Sequence, residues 1–296
     1  MVDPEQSVNV SVVVASCRSA DLVRQAIEHL LPQCRNAGAE LIIARSRPAG
    51  ETDSAGMYAD CQLVECAPAT TIPEIRGAGL TAATGDVVLL TEDNCIARAD
   101  WVQRIVSGFE PGIDVVGGTM GNAHPKRGVD AGAYFAEYGF FGPSRRAPGD
   151  GASPFLTGAN VAYRRSVVED AGTWASAGDW EGAVHHRLAA RGVRFALVSD
   201  AIVDQNLHYR FRSFCRDRFE HGYNSAKTRS GDWRFGRRLA MACAAPLIPP
   251  LMTWRAWQNA GRPNIGGFLR SLPHTFAFFT AWAAGESAGY LRGDAP

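Results

Sequence analysis

The sequence predicts an α/β fold in which a mostly parallel sheet is flanked by helices. Residues 8–15 read VNVSVVVA, an almost continuous apolar run that is typical of a strand buried on both faces. Residues 20–31 repeat apolar side chains at helical spacing, and residues 41–44 form a second short apolar run. Strand, helix and strand in this order indicate a right-handed βαβ unit.

Local signals at both ends support the first predicted helix. Ser19 precedes the helix and can cap its free N–H groups, and Pro32 is expected to close it. The same alternation continues along the chain. It predicts strands at residues 61–65, 85–91 and 114–120 and helices at residues 72–83 and 99–109.

Polar residues follow three of these predicted strands, at residues 16–18, 45–47 and 92–94. In open parallel sheets, ligands bind beyond the carboxyl ends of the strands. We therefore expect these three clusters to share one crevice.

The second half of the chain has a different pattern. Residues 121–153 are rich in glycine, proline and charge, which predicts a long loop or lid. A second structured block follows, with a strand at 160–164, a helix at 180–190 and short strands at 195–198 and 201–203. The predicted domains are a catalytic domain over residues 1–230 and a helical, apolar C-terminal extension over residues 231–296.

Two interpretations of this C-terminal extension stay open. Its apolar runs contain prolines and are flanked by arginines, with Trp254, Trp257 and Trp282 among them. Such a pattern can lie in a membrane interface with the tryptophans at headgroup level. The alternative is a pair of helices that pack on the catalytic domain, or on a second subunit in a homodimer.

Composition and charge exclude several classes of protein. The formal net charge is zero, so no long-range field would attract nucleic acid. The seven cysteines are odd in number and form no CxxC pair, which disfavours a zinc ribbon or a disulfide framework and fits reduced thiols in a cytoplasm. We see no signal peptide and no membrane-spanning stretch. The expected location is cytoplasmic, with peripheral contact on the inner face of the cell membrane under the first interpretation above.

A series of short motifs, in this order and spacing, resembles glycosyltransferase family 2 over about residues 8–225. The resemblance implies a GT-A fold with a Rossmann-like sheet and a nucleotide-diphospho-sugar donor. The motifs are VSVVVAS at residues 10–16, Arg76 with Gly79 and Gly85-Asp86, LLTEDNC at residues 89–95 with Trp101, Thr157-Gly158-Ala159-Asn160, and Trp180-Glu181 with Arg187-Leu188.

The resemblance also implies a reaction. An acceptor hydroxyl attacks the anomeric carbon of the donor sugar, a carboxylate removes its proton, and the configuration inverts. The expected enzyme is a hexosyltransferase with a lipid or small-molecule acceptor. A hydroxyl is a poor nucleophile until a positioned base takes its proton. The departing diphosphate develops negative charge, which a hard divalent cation can offset.

The residues implied for the cation depart from the family pattern. The family carries Asp-x-Asp at the end of a buried strand, and the matching residues here are Glu92, Asp93 and Asn94. Glutamate is longer than aspartate and asparagine is neutral, so the site loses one formal charge. We expect Mg²⁺ or Mn²⁺ to bind there, less tightly than in the family.

The donor site is implied by matching positions in several motifs. One of them departs from the family: an acidic residue normally follows the second strand, whereas this chain has Arg45 there, which cannot accept a hydrogen bond. A contact with phosphate and a solvated side chain both stay open for Arg45. The implied donor-binding residues are Ala15, Ser16, Arg45, Arg76, Glu92, Asp93, Thr157, Gly158, Asn160 and His208.

Glu181 best matches the family's catalytic base. It stands at the start of a predicted helix, where the helix dipole favours an ionised carboxylate. Asp179 is the second candidate, although it also suits a capping role. The alternative function is a family-fold protein that has lost transfer activity and serves as a ligand-binding or scaffold module, and Arg45 and Asn94 favour it.

Overall fold

The computed structural model describes residues 8–144 and 156–292, without the side chains of residues 262–264. The chain divides into two compact units. The first comprises Met1–Gly121 and Arg145–Asn206, and the second comprises Asn122–Ser144 and Leu207–Pro296. The predicted division near residue 230 stays a prediction about domain organisation.

The first unit is built on an eight-stranded sheet in the order β3-β2-β1-β4-β7-β6-β8-β5. The strands are β1 (Val10–Ser16), β2 (Glu40–Ser46), β3 (Gln62–Cys66), β4 (Val87–Glu92), β5 (Cys95–Ala97), β6 (Val115–Asn122), β7 (Asn160–Arg164) and β8 (Phe195–Gln205). Strands β1 to β4 are mutually parallel, whereas β7 runs antiparallel to both β4 and β6. The predicted α/β fold is confirmed, and the mutually parallel strands are the first four that the chain contributes.

The register of the parallel strands positions the polar residues that follow them. Every residue of β1 and β4 is buried, because both strands lie inside the sheet with helices over them. Val12 lies beside Leu41 on one side and Leu89 on the other. The carboxyl ends of β1, β2 and β4 therefore reach the same edge.

The helices of the first unit are α1 (Ala20–Ala37), α2 (Ile72–Ala82), α3 (Trp101–Ser107), α5 (Arg165–Ser176) and α6 (Glu181–Ala190). Helix α1 continues through Pro32, so the expectation that Pro32 closes it was wrong. The helix ends instead at Gly38, whose positive φ of 62° suits a residue without a Cβ. Helix α2 begins with a capping box between Thr71 and Glu74.

The second unit is helical, with α4 (Gly128–Glu137), α7 (Phe211–Ser230), α8 (Phe235–Ala244) and α9 (Ile248–Arg292). Helix α9 consists of two helices joined at Gly261, whose φ of 67° and ψ of 163° are not helical. The predicted loop at residues 121–153 contains α4, and its residues 145–153 lie outside the described residues. Helix α4 forms because its apolar face packs on α9, with the Phe135 and Phe268 rings 5.0 Å apart.

None of the helices in the described ranges is long and apolar enough to cross a membrane. The first apolar run of the C-terminal extension, residues 239–254, extends from α8 into the start of α9, and the second, residues 268–284, lies within α9.

Candidate active site

A chain of hydrogen bonds joins the ends of β1, β2 and β4. Ser16 lies at the carboxyl end of β1, next to Ala15, and its side chain is fully buried. Arg45 donates from Nη1 to Ser16 Oγ at 2.7 Å, and Ser16 Oγ donates to Asp93 Oδ2 at 2.9 Å. The structure therefore brings together the three polar clusters that the sequence predicts at this edge.

The Arg45 side chain lies inside the protein and is not solvated. Its side chain is completely buried, and its guanidinium donates hydrogen bonds to the Asp53 carboxylate from Nε at 3.1 Å and from Nη2 at 2.8 Å. Arg47 reaches the same carboxylate at 2.7 Å. Burial favours the neutral acid, but the hydrogen bonds from both arginines outweigh it and hold the pKa of Asp53 below its usual value.

Asp53 is a residue that the sequence interpretation missed. It lies in a segment without regular structure, eight positions after Arg45, so no periodic pattern marks it. Its carboxylate, 8% exposed, restores an acidic group near the end of β2 where the sequence has arginine. The nearby arginines, Arg45 and Arg47, were the one available signal, because a buried arginine requires an acidic partner.

Asp93 ties the loop after β1 to the end of β4. Its side chain is completely buried, and Oδ2 accepts from the backbone N–H groups of Cys17 at 3.1 Å and Arg18 at 2.8 Å as well as from Ser16. The Arg18 guanidinium lies 3.5 Å from Oδ1. Burial nevertheless raises the pKa of Asp93, since desolvation is the largest influence on this carboxyl.

Arg76, Glu92 and Glu181 form an ionic triad in the first unit. Arg76, on α2, donates from Nη2 to Glu92 Oε1 at 2.5 Å and from Nη1 to Glu181 Oε2 at 2.7 Å. The side chains of Arg76 and Glu92 are each 6% exposed, and that of Glu181 is 26% exposed. The triad joins residues 105 positions apart in the chain.

The backbone of Gly158 packs closely against the Arg76 guanidinium of this triad. A Cβ added at Gly158 would lie 2.5 Å from Arg76 Nη1 and 2.6 Å from Cζ, closer than atoms can approach. Glycine is therefore required here for close approach to Arg76, not for an unusual φ. The neighbouring Thr157 is buried and accepts a hydrogen bond from the Ala159 N–H at 3.3 Å.

The position of Glu181 suits a carboxylate that must stay ionised. Burial alone would raise its pKa, but the charge and hydrogen bond of Arg76 and the backbone N–H at the start of α6 outweigh burial and lower the pKa. Asp179 instead forms an outward ion pair with Arg187 at 2.6 Å. Of the two predicted base candidates, Glu181 alone belongs to the triad.

The contacts of Glu92, Asp93 and Asn94 do not fit a divalent cation in this arrangement. A hard cation needs free oxygen ligands, but Glu92 is held by Arg76 and Asp93 Oδ2 already accepts three hydrogen bonds. The Asn94 side chain is buried and lies 3.7 Å from Cys95 Sγ. Across residues 8–144 and 156–292, no group of three or more His, Cys, Asp or Glu side chains could hold a metal. The cation site stays a prediction.

Asn160 has a structural part in this unit. Its fully buried side chain donates to the carbonyls of Thr119 at 2.8 Å and Ala201 at 2.9 Å, and accepts from Trp101 Nε1 at 2.8 Å. These bonds use both amide hydrogens and one of the two acceptor sites of the oxygen, so they give no support to the predicted contact of Asn160 with the donor.

His208 belongs to the second unit. Its Nδ1 lies 2.7 Å from Asp130 Oδ2, and its ring is tilted against that of His124 at 4.0 Å. Asp130, buried on α4, also accepts from the Tyr209 N–H at 2.8 Å. The sequence interpretation missed Asp130 because it assigned this segment to a loop.

Two cavities of the first unit differ in size and position. A cavity of about 10 Å³ beside Arg76 and Glu181 has room for about one water molecule. A groove of about 580 Å³ lies at the amino end of β1, beside Val8 and Val10. Ligands of such sheets bind at the carboxyl ends of the strands, so we do not assign the active site to the larger groove.

Comparisons with known proteins found similar solved structures and a matching family model. A structure of mannosyltransferase PcManGT from Pyrobaculum calidifontis in complex with GDP-Man and Mn²⁺ is similar, with a TM-score of 0.53 and 15% identity over 96% of this chain and 88% of that one. Glucosyl-3-phosphoglycerate synthase from Mycobacterium tuberculosis, with Mn²⁺, UDP and phosphoglyceric acid, gives a TM-score of 0.46 and 15% identity over 71% of this chain and 74% of that one. A search of curated proteins found no sequence match.

The likeness to PcManGT shows the fold alone, because the two sequences are only 15% identical. The decisive comparison is the model of glycosyl transferase family 2, which matches residues 11–172, more than half of the chain, and covers the ends of β1, β2 and β4. This chain therefore belongs to glycosyltransferase family 2 and is a glycosyltransferase of the nucleotide-sugar type.

Proposed function

We propose that the protein is an inverting hexosyltransferase in which Glu181 is the catalytic base. The observation that carries this proposal is the position of Glu181 at the start of α6, with its pKa lowered and its Oε2 2.7 Å from Arg76 Nη1. A base must be ionised before the acceptor arrives and must lie beside the reacting atoms. Glu181 meets the first condition, and for the second we place the donor at the edge formed by Ser16 and Glu92.

The proposed step has a simple balance. The acceptor O–H gives its proton to Glu181 while its oxygen forms a bond to the anomeric carbon. The bond from that carbon to the diphosphate oxygen breaks, and the nucleoside diphosphate leaves with the electron pair. Attack from the face opposite the leaving group inverts the anomeric configuration.

The donor is proposed to bind at the carboxyl edge of β1, β2 and β4, against Ala15, Ser16, Gly158 and the ionic triad. The family resemblance also implies a divalent cation. Because the present contacts of Glu92, Asp93 and Asn94 do not fit such a cation, its binding is tested together with that of the donor. The acceptor class, a lipid or a small molecule with a free hydroxyl, stays part of the proposal.

Donor binding is measured by thermal shift with UDP, GDP, CDP and dTDP, each with Mn²⁺ and with EDTA. A true donor nucleotide stabilises the folded protein by mass action, by about 2.7 kcal/mol at a concentration 100 times its Kd. Stabilisation in EDTA would show that the nucleotide binds without the predicted cation. No shift with any nucleotide would contradict the proposed donor class.

Transfer is measured as nucleotide release from GDP-mannose and UDP-glucose with a panel of lipid and small-molecule acceptors. Glu181→Gln should keep the nucleotide-induced thermal shift and lose about 100-fold or more of the release, since general-base catalysis contributes about 10²–10⁴-fold. The control Asp179→Asn removes the outward pair with Arg187 and should keep transfer. Normal turnover by Glu181→Gln, or a product that retains the donor's anomeric configuration, would refute the proposal.

A second function is favoured by one observation. The carboxylates of Glu92 and Asp93 are already held by protein groups, as expected for a fold that binds a ligand without transferring a sugar. That function predicts a nucleotide-induced thermal shift in the native chain with no nucleotide release for any acceptor.

A further inference from the structure

Helix α8, the first part of α9 and the short 3-10 helix between them (Ala245–Leu247) expose a run of large apolar side chains, which we call the apolar strip. Soluble proteins rarely expose large contiguous apolar patches unless they serve as a binding surface. Leu247 is 68% exposed and Trp254 is 59% exposed, although both are residues that proteins usually bury at least in part. The strip consists of Phe235, Leu239, Leu247, Leu251, Trp254 and Trp257.

The charged side chains of residues 233–285, the segment that contains the apolar strip, have one sign. Residues 233–285 contain six arginines and no aspartate, glutamate or lysine, whereas the whole chain has equal numbers of acidic and basic residues. Arg234, Arg237 and Arg255 are exposed within the same segment as the strip. The Arg237 guanidinium lies over the Trp233 ring at 3.9 Å, so part of this charge is held at a defined place.

A segment that exposes apolar side chains and arginines, with no acid between residues 233 and 285, matches the surface of an anionic bilayer. Leucine and phenylalanine side chains enter the boundary between headgroups and acyl chains, tryptophan lies at headgroup level, and arginine pairs with anionic lipid. The helices of the described ranges do not span a membrane, so the segment would lie in the interface plane.

A second copy of this chain is a poorer match for the same surface. In a two-fold symmetric contact the patch faces itself, so the arginines would meet arginines with no acidic residue of residues 233–285 to offset them. Like charges across an interface oppose association.

We propose that the apolar strip and its arginines form an interfacial surface that binds bilayers containing anionic lipid. This inference goes beyond the proposed function, and it concerns the second unit alone. An enzyme with this surface would be concentrated where lipid-borne acceptors are found.

The test is flotation of the full chain with vesicles of phosphatidylcholine alone and with 30% phosphatidylglycerol, at low salt and at high salt. We expect recovery with the anionic vesicles, less recovery at high salt because charge is screened, and little recovery with phosphatidylcholine alone. No flotation with anionic vesicles, or equal recovery with both compositions, would overturn the proposal.

Two double variants separate the apolar and the charged contributions. Arg234→Gln with Arg237→Gln should weaken binding to anionic vesicles about 10–30-fold, since each arginine near such a surface contributes about 1 kcal/mol. Leu247→Ser with Trp254→Ser should abolish recovery at both salt concentrations. These side chains are exposed, so the variants should fold, and their melting temperatures check this.

Two control variants test whether the loss of vesicle binding is specific to the apolar strip and its arginines. Arg35→Gln removes an exposed arginine of the first unit, and Phe140→Ser removes an aromatic side chain that is 45% exposed outside the strip. Both should float like the native chain. A strip variant that floats normally but converts a dimer to a monomer would assign the surface to a second copy and overturn the proposal. The test uses no donor, so loss of the proposed transferase activity would leave its result unchanged.

Discussion

Replacing Arg76 by methionine should show how strongly the ionic triad stabilises the first unit. Arg76 is the only guanidinium that the triad contains, and it neutralises part of the charge of Glu92 and Glu181 at 2.5 Å and 2.7 Å. Methionine fills a similar volume and removes the charge. Two carboxylates would then remain, with Glu92 only 6% exposed to water.

The expected cost follows from this burial. Removing one partner of a buried ion pair costs about 3–5 kcal/mol, because the other charge stays buried without compensation. Glu181 is 26% exposed, and water can solvate part of its charge, so we expect the lower end, about 3 kcal/mol. A loss of this size lowers the melting temperature by roughly 6–12 °C.

The loss should depend on pH with a defined sign. In the native chain the pKa of Glu181 is lowered, chiefly by Arg76 acting against burial, so its contribution to stability is present above its unfolded pKa and is lost as the pH falls through the folded pKa. Without Arg76, burial raises that pKa, and stability is then lost as the pH rises. The difference between native chain and variant should be larger at pH 8 than at pH 5.

Urea unfolding and thermal melting at pH 5 and pH 8 measure this difference. The control is Arg191→Met, which removes an exposed pair with Asp170 and should change stability by about 0.5 kcal/mol or less. Equal losses at both pH values, or a loss no greater than that of the control, would refute the account of the triad as a buried and mutually dependent charge cluster.

Two further variants test packing around the same site. Gly158→Ala should destabilise by about 1–3 kcal/mol because its Cβ would overlap the buried Arg76 guanidinium; Gly182→Ala, in open space on α6, should be neutral or stabilising in the same melting experiment. Trp101→Phe should cost about 1–3 kcal/mol, measured by urea unfolding, because the Asn160 carbonyl oxygen loses its buried donor; an unchanged midpoint would show that this bond contributes nothing.

The fold could largely be predicted from the sequence because its signals are local. Continuous apolar runs at β1 and β4 mark strands covered on both faces, and their order along the chain implies parallel neighbours. Two local predictions differ from the structure, and a distant contact accounts for the second. Pro32 lies within α1, and α4 forms in a glycine-rich segment because its apolar face packs on α9.

The sequence indicated the proposed site as a set of residues, a prediction that stays open, but it did not indicate their contacts. The motifs pointed to Arg76, Glu92, Asp93 and Glu181 through family resemblance, without stating which group each of them touches. In the sequence, Arg45 is a departure from the family pattern. The structure shows that Arg45 forms an ion pair with Asp53, a residue that belongs to no motif.

The amino-acid sequence by itself determined the family, the parallel direction of the first strands and the neighbourhood of the polar clusters, because burial pattern and motif spacing are properties of short segments. Only the tertiary structure decided that Arg76 joins Glu92 to Glu181 and that Asp93 binds the loop after β1. The physical reason is that a charge takes its partner from whatever the fold brings within about 3 Å, and here that partner lies up to 105 positions away in the chain.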